Sequence, residues 1–284
     1  MRKKKPLFSS TDYQYSSLPT SRKEAFKDVY RHNFKNITLS GLMLLLFAVP
    51  LIVFLIFMDY GKTGMTLQRY SEKELIAVLL LWDIIVNVGV VVLLYVVLIA
   101  LMGVTRVLKL LVWQEGIDFF YDFKVGIKEN IKHFSLLYLF SSLLFLGTYF
   151  VYIFLLNFII GIWLIILFDI VFVSLFLWAL FVINVYQTTL WNYIKNAAFF
   201  FSRSILLTIL FVILITFPFF SIFIPLSGVT IVVKYSLIII MLVFYYPLMI
   251  IVGYLYSLSK FDTFINKDNY PEIYRKGLYD INKK

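Results

Sequence analysis

The stretch GIDFFYDFKVGIKENIKHFSLLYLF, residues 116–140, decides how this chain is read. It opens as an amphipathic helix and runs, with no proline to break it, into a long apolar segment. At 100° per residue, Phe120, Phe123, Ile127, Ile131 and Phe134 share one face. Lys124, Lys128 and Lys132 line a second face, with Asp118, Asp122, Glu129 and His133 beside them. A helix divided in this way fits a membrane interface, with its rings toward the acyl chains and its lysines toward the headgroups. A solvated elbow ahead of a membrane span fits the same pattern. The expectation is an interfacial element over residues 118–133 that turns into a span at Phe134.

The rest of the composition agrees with a membrane. Of 284 residues, 62% are hydrophobic and 15% charged, which no soluble core absorbs. Aromatic residues reach 19%, in line with interfacial belts. The bias toward Phe, Ile, Tyr, Lys and Asn points to an AT-rich bacterial genome. Cysteine is absent, which removes disulfides, thiolate catalysis and cysteine-ligated metals together.

Six spans of about 20 residues or more are expected, at 37–58, 75–102, 134–158, 159–186, 205–226 and 232–255. A basic tail, 1–36, precedes them and a polar tail, 256–284, comes after. The fold class is therefore an all-α integral membrane protein with six transmembrane helices and interfacial amphipathic helices. The first tail lacks an apolar run behind its basic start, so it reads as a retained tail rather than a secretory signal. A short helix is expected from about Ser21. In the second tail, Pro271 and Glu272 suit a helix start, with Ile273, Tyr274, Leu278 and Ile281 as its stripe.

Orientation is set by Lys and Arg. The N-tail holds 9, the second loop 5, the fourth loop 2 and the C-tail 6, against 3, 0 and 1 in the first, third and fifth loops. By the positive-inside rule both termini face the cytoplasm. That asymmetry also accounts for the net charge of +10 without nucleic acid. Ile127-Lys128 with Phe134-Ser135 recurs 67 positions later as Ile194-Lys195 with Phe201-Ser202. Lys35-Asn36-Ile37 is a fainter echo, so three repeated helical hairpins are a candidate plan.

Several of these pieces resemble the YesL-like family of bacterial integral membrane proteins. They are Asn36 with residues 44–50, FFYDFKVGIKENIKHFSLLYLF at 119–140, YIKNAAFFFSRSILLTIL at 193–210 and YPEIYRKGLY at 270–279. The first loop, GKTGMTLQRYSEKE at 61–74, departs from the family pattern. Family members often stand beside genes for carbohydrate uptake and polysaccharide degradation. The resemblance implies an accessory or regulatory protein tied to carbohydrate use, partnered with a membrane transporter subunit, and carries over no catalytic residues.

Polar residues inside the spans give the candidate sites. Asp83 and Asn87 share a face of the second span, Asp169 lies in the fourth and Lys234 enters the sixth. Intramembrane ionisable residues usually face a bundle interior or a water-filled cavity. Two readings stand: a hydrogen-bonded cluster that fixes helix packing, or an outward-open pocket of a small-solute permease. Lys124, Lys128, Lys132 and Lys195 form a candidate headgroup-binding elbow, and a lipid-interacting scaffold is a further reading. Pro50, Pro218 and Pro247 fall inside spans, and Pro225 joins Pro218 in the outer part of the fifth, so kinks or breaks are expected there. His32 and His133 lack metal-ligand spacing, and no Gly-rich phosphate loop occurs, so neither cofactor nor enzymatic chemistry is expected.

The charge asymmetry makes a topology prediction. Single cysteines at Thr63 and Ser227 should react with an impermeant thiol reagent on intact cells. Those at Ser17 and Asn282 should react only after permeabilisation. Labelling of either tail in intact cells reverses the assignment.

Overall fold

The computed structural model describes residues 19–66, 70–155, 158–186, 188–217 and 228–279, and no β-strand occurs among them. The helices are α1 (Arg22–His32), α2 (Phe34–Thr66), α3 (Glu72–Val112), α4 (Phe119–Leu155), α5 (Ile159–Val185), α6 (Leu190–Ser202) and α7 (Ile205–Thr216). Next come α8 (Gly228–Ile240), a π-helical turn (Met241–Tyr245), α9 (Tyr246–Phe261), a second π turn (Asp262–Asn266) and the short α10 (Lys267–Asn269). Five helices are long and apolar enough to cross a membrane, or up to six if the bent pair α6–α7 counts as one.

The long helices outrun a bilayer core. At 1.5 Å per residue, the 41 residues of α3 extend about 60 Å and the 37 of α4 about 55 Å. A hydrocarbon layer is about 30 Å thick. The excess lies at the end of the bundle where the first and last described residues meet. There the Tyr279 amide donates to the Pro19 carbonyl at 2.9 Å, and Arg22 donates to the Lys276 carbonyl and the Asp262 carboxylate.

Burial shows the same division. Along α3 no residue from Lys73 to Val97 is buried, whereas every residue from Met102 to Val112 except Arg106 is. α5 is buried over residues 178–184, and α9 along most of 250–261. These segments, with the start of α4 and with α6, build one core. Trp178 of α5 stacks on Phe200 of α6 at 5.2 Å, and Phe200 meets Phe261 of α9 at 4.7 Å. Toward the opposite end the helices show apolar flanks, such as Leu46, Val53, Phe57, Phe154 and Ile160. This is the distribution expected where lipid, as apolar as leucine, replaces a protein core.

Two close approaches set the helix spacing. A Cβ on Gly41 of α2 would lie 1.9 Å from the Val243 carbonyl oxygen. Val243 sits in the first π turn, four residues before Pro247. Proline has no N–H to close the usual i to i−4 bond, so the Val243 carbonyl is released there. The wider turn accommodates the change, and the bare Cα of Gly41 packs over the exposed oxygen. Gly103 and Gly126 do the same for α3 and α4: a Cβ on Gly126 would meet the Met102 carbonyl at 2.8 Å and the Gly103 Cα at 3.1 Å.

Several expectations need correcting. Residues 118–133 do not form a separate element, because α4 runs unbroken from Phe119 through the predicted elbow into the span. Phe123 and Phe134 of the aromatic stripe are buried against the protein, while Phe120 and Ile131 are exposed. The second loop does not begin at residue 103, because α3 continues to Val112. Arg106 and Lys109 make that stretch look solvated, yet both are held by partners. Pro271 starts no helix: residues 271–277 are turns, and Gly277, at φ +79°, folds over the Val112 carbonyl. The helix expected from Ser21 is present, with the Ser21 hydroxyl accepting from the Glu24 amide, and it packs Ala25 and Val29 into the core. The expected span 205–226 is helical over α7; its remainder with Pro218 and Pro225, like Ile281, lies outside the described residues.

The Gly41 contact yields a stability prediction. Gly41→Ala drives a methyl into backbone that cannot swing away and should cost about 3 kcal/mol, the upper end of overpacking effects. At Gly64 nothing lies within 4 Å of an added Cβ, so Gly64→Ala should leave stability unchanged or slightly raised. Thermal unfolding of the two variants in detergent checks this, and equal effects would contradict it.

Candidate functional site

Polar groups gather in three places. The first is the end of the bundle opposite the chain ends. Lys234 of α8 is buried and its ammonium donates to Asp59 of α2 at 2.6 Å. The Tyr235 hydroxyl donates to the same oxygen at 2.8 Å. Sequence reasoning misses Asp59, since it sits where the first span ends and reads as an ordinary boundary acid. Asp83 pairs instead with Lys62 at 2.9 Å, both about half exposed. Asn87 donates to the Asp83 carbonyl, and Tyr149 of α4 lies beside both residues. Asp169 of α5 lies beside the Thr148 hydroxyl of α4.

The four predicted residues do not pair charge with charge among themselves: Lys234 is bonded to Asp59 and Asp83 to Lys62. Asp83 and Asn87 share a helix face, Asp169 is held separately, and the ion pair of Lys234 is with Asp59. Convergence of Asp83 and Asp169 on Lys234 is not what the side chains do. Each charge is instead answered by a local partner from an adjacent helix.

The second gathering is at Asn184, near the C-terminal end of α5. Its side-chain oxygen accepts from Thr105 of α3 at 3.2 Å and Asn130 of α4 at 3.3 Å, and its amide donates to the Leu180 carbonyl. Its backbone carbonyl, one of the last four of α5, accepts from the Lys109 ammonium at 2.5 Å. A helix C-terminus leaves such carbonyls without intrahelical partners and carries partial negative charge, so a buried cation is well placed there. Lys109 also lies over the Trp113 ring, and Arg106 pairs with Glu129. Neighbouring contacts extend this to the chain ends. The Tyr186 hydroxyl donates to Asn266 at 2.5 Å, and Asn266 donates to Asp262, which also binds Arg22 and the Arg275 amide. Burial lowers Arg22 from its ordinary value, opposed by the hydrogen bond and charge of Asp262.

The third is an open polar cleft of about 510 Å³ between α6 and the second π turn with α10. Tyr186, Thr188, Asn192, Asn196, Ile265, Asn269 and Tyr270 line it. Its amides come from two segments some seventy residues apart, a pairing with no signature in the sequence. The candidate elbow divides: Lys124, Lys128 and Lys132 are exposed along α4, and Lys195 is exposed on α6. Among the described residues no three His, Asp or Glu side chains come together to hold a metal ion.

Magnitudes separate the two ion pairs of the first place. Removing one partner of a buried pair costs about 3–5 kcal/mol, and an exposed pair contributes at most about 1. Asp59→Asn should thus destabilise by about 3 kcal/mol, the low figure reflecting the partial exposure of Asp59. Asp83→Asn should change stability by less than about 1 kcal/mol. Replacing the pair together, Asp59→Leu with Lys234→Met, should recover most of the loss. Detergent unfolding curves of the three variants test the assignment, and a Lys234 charge indifferent to Asp59 would contradict it. No family model, no curated protein and no solved structure matches this chain.

Proposed function

We propose that the protein is an accessory or regulatory component of a bacterial cytoplasmic membrane, linked to carbohydrate uptake or use through a membrane transporter subunit. The likeness to the YesL-like family supports the link to carbohydrate. The observation that carries the accessory role is the pairing of Lys234 with Asp59. It commits a deeply buried cation at that end to a helix clamp, and the partner of Asp83 is Lys62 rather than Lys234. A permease through those four residues is the alternative, and it needs them along one path. An accessory protein needs lateral faces for another subunit, and the apolar flanks of α2 and α5 supply candidates.

In this reading six spans form three helical hairpins with interfacial segments, and both termini are cytoplasmic. An even number of crossings is supported by the hydrogen bonds that join the two ends of the described chain at one end of the bundle. The cytoplasmic side is supported by the excess of Lys and Arg at that end.

Two measurements test the proposal. Photo-crosslinkers at Leu46 and Trp163, both exposed on lateral faces, should capture a transporter subunit in native membranes. Purified protein in proteoliposomes should move no sugar by itself. Uptake that disappears in Asp83→Asn or Asp169→Asn without loss of expression would overturn the accessory role in favour of the permease.

A further inference from the structure

α6 stands apart from the other helices by its direction. α7 runs alongside α5 and α9, through Trp178 with Thr208, Phe181 with Phe211, and Tyr245 with the Leu214 carbonyl. α6 is bent from α7 by 104°, so it lies across the bundle rather than along it. Its inner face is spent on the core by Tyr193, Ala197 and Phe200. Its outer face carries Trp191, Lys195 and Phe199, and Arg203 continues the row at the same spacing of four residues. Rings and cations alternate along it. The Lys195 ammonium lies 5.5 Å from the Trp191 ring, and the Arg203 guanidinium lies 5.7 Å from Phe199 and 5.9 Å from Phe264. Among the described residues no carboxylate pairs with Lys195 or Arg203.

The chain just beyond Arg203 indicates the surroundings of the row. α7 begins two residues later with Ile205, Leu206 and Leu207, all exposed, Leu206 at 84%. A strongly apolar flank thus starts where the basic and aromatic row stops. Rings at that boundary and cations beside them match the layered chemistry of a lipid: phosphate outside, glycerol region between, acyl chains beyond. We propose that this face of α6 lies in the headgroup layer and takes the phosphate of an anionic phospholipid on Lys195 and Arg203. Trp191, Phe199 and Phe264 seat the upper chain region, and the start of α7 receives the acyl chains. A soluble phosphate would use the two cations but leave the apolar flank uncovered. The three lysines of α4 stand along a helix that runs straight into its span, and in this proposal they supply diffuse charge.

The assignment is independent of any transporter partner. Full-length protein in nanodiscs of mixed phosphatidylcholine and phosphatidylglycerol is released for native mass spectrometry, and the bound lipids are counted. Wild type should retain phosphatidylglycerol preferentially. Each cation removed near an anionic surface should cost about fivefold in that preference, the equivalent of about 1 kcal/mol. Lys195→Gln with Arg203→Gln should therefore lower it about 25-fold. Lys195→Arg with Arg203→Lys keeps the charge and should keep the preference, which separates lost binding from lost folding. Lys124→Gln with Lys128→Gln and Lys132→Gln should retain most of it. Brominated acyl chains should quench a fluorescence component that Trp191→Phe removes. Unchanged preference in the α6 Gln variant overturns the proposal, as does a loss confined to the α4 variant. Displacement of the lipid by millimolar inorganic phosphate would assign the cations to a soluble anion instead.

Discussion

The contact between the Lys109 ammonium and the carbonyl end of α5 is the one on which the packed half of this protein depends. A buried cation is expensive unless something negative meets it. Here the partner is the orphan carbonyl of Asn184, backed by the negative end of a 27-residue helix. The same asparagine receives Thr105 and Asn130 through its side chain, so helices α3, α4 and α5 share one residue. A leucine at position 109 would pack as well but leave the α5 carbonyl unanswered. Once α3 and α5 are fixed to each other there, Trp178, Phe200 and Phe261 have a cavity to fill, and α6 has a floor to lie on.

The two ends of the bundle use charge differently. At the opposite end, Asp59 and Lys234 join α2 to α8 with a buried pair, and Lys62 with Asp83 adds an exposed one that contributes little. At the end carrying the chain termini, charges are woven into hydrogen-bond networks that involve backbone. Asp262 alone receives Arg22, Asn266 and the Arg275 amide. Networks of this kind fix several segments together, which suits the place where α1 and the last turns must be held. The Gly41 and Val243 contact between the two ends needs no charge, because a missing side chain and a missing N–H supply the fit.

Much of the fold was legible in the sequence because hydrophobic length is a strong signal. The first four predicted spans each fall on a single long helix, and the border expected between the third and fourth, at 158 and 159, falls where α4 gives way to α5. What was not legible is how far helices continue past the membrane. Arg106, Lys109, Lys124 and Lys128 look alike in a string of letters. Yet the first two are held by partners 23 and 75 residues distant, and the other two are exposed. Candidate sites fared worse for the same reason. Asp83 and Asn87 are near neighbours in sequence and remain so in space, whereas the partner of Lys234 lies 175 residues back. The cleft between α6 and α10 joins amides that no local pattern connects.

The paired motifs 67 residues apart show how one substitution can redirect a helix. α4 passes straight through Ile127-Lys128, whereas the helix that carries Ile194-Lys195 ends at Ser202 and the chain bends by 104° into α7. The residue before each motif differs: Gly126 in α4, Tyr193 in α6. Gly126 lets α4 approach the α3 backbone, and a helix held that closely along its length has no reason to turn. Tyr193 cannot approach in the same way. Its ring is buried, and its hydroxyl is fixed between the Tyr186 carbonyl and the Thr188 amide of the preceding connection. That anchor lays α6 across the end of the bundle, and the chain must turn at Arg203 and Ser204 before it can run alongside α5. There the Ser204 hydroxyl takes up the Phe200 carbonyl that the bend releases. The straight segment extends a span, and the bent one presents a face outward.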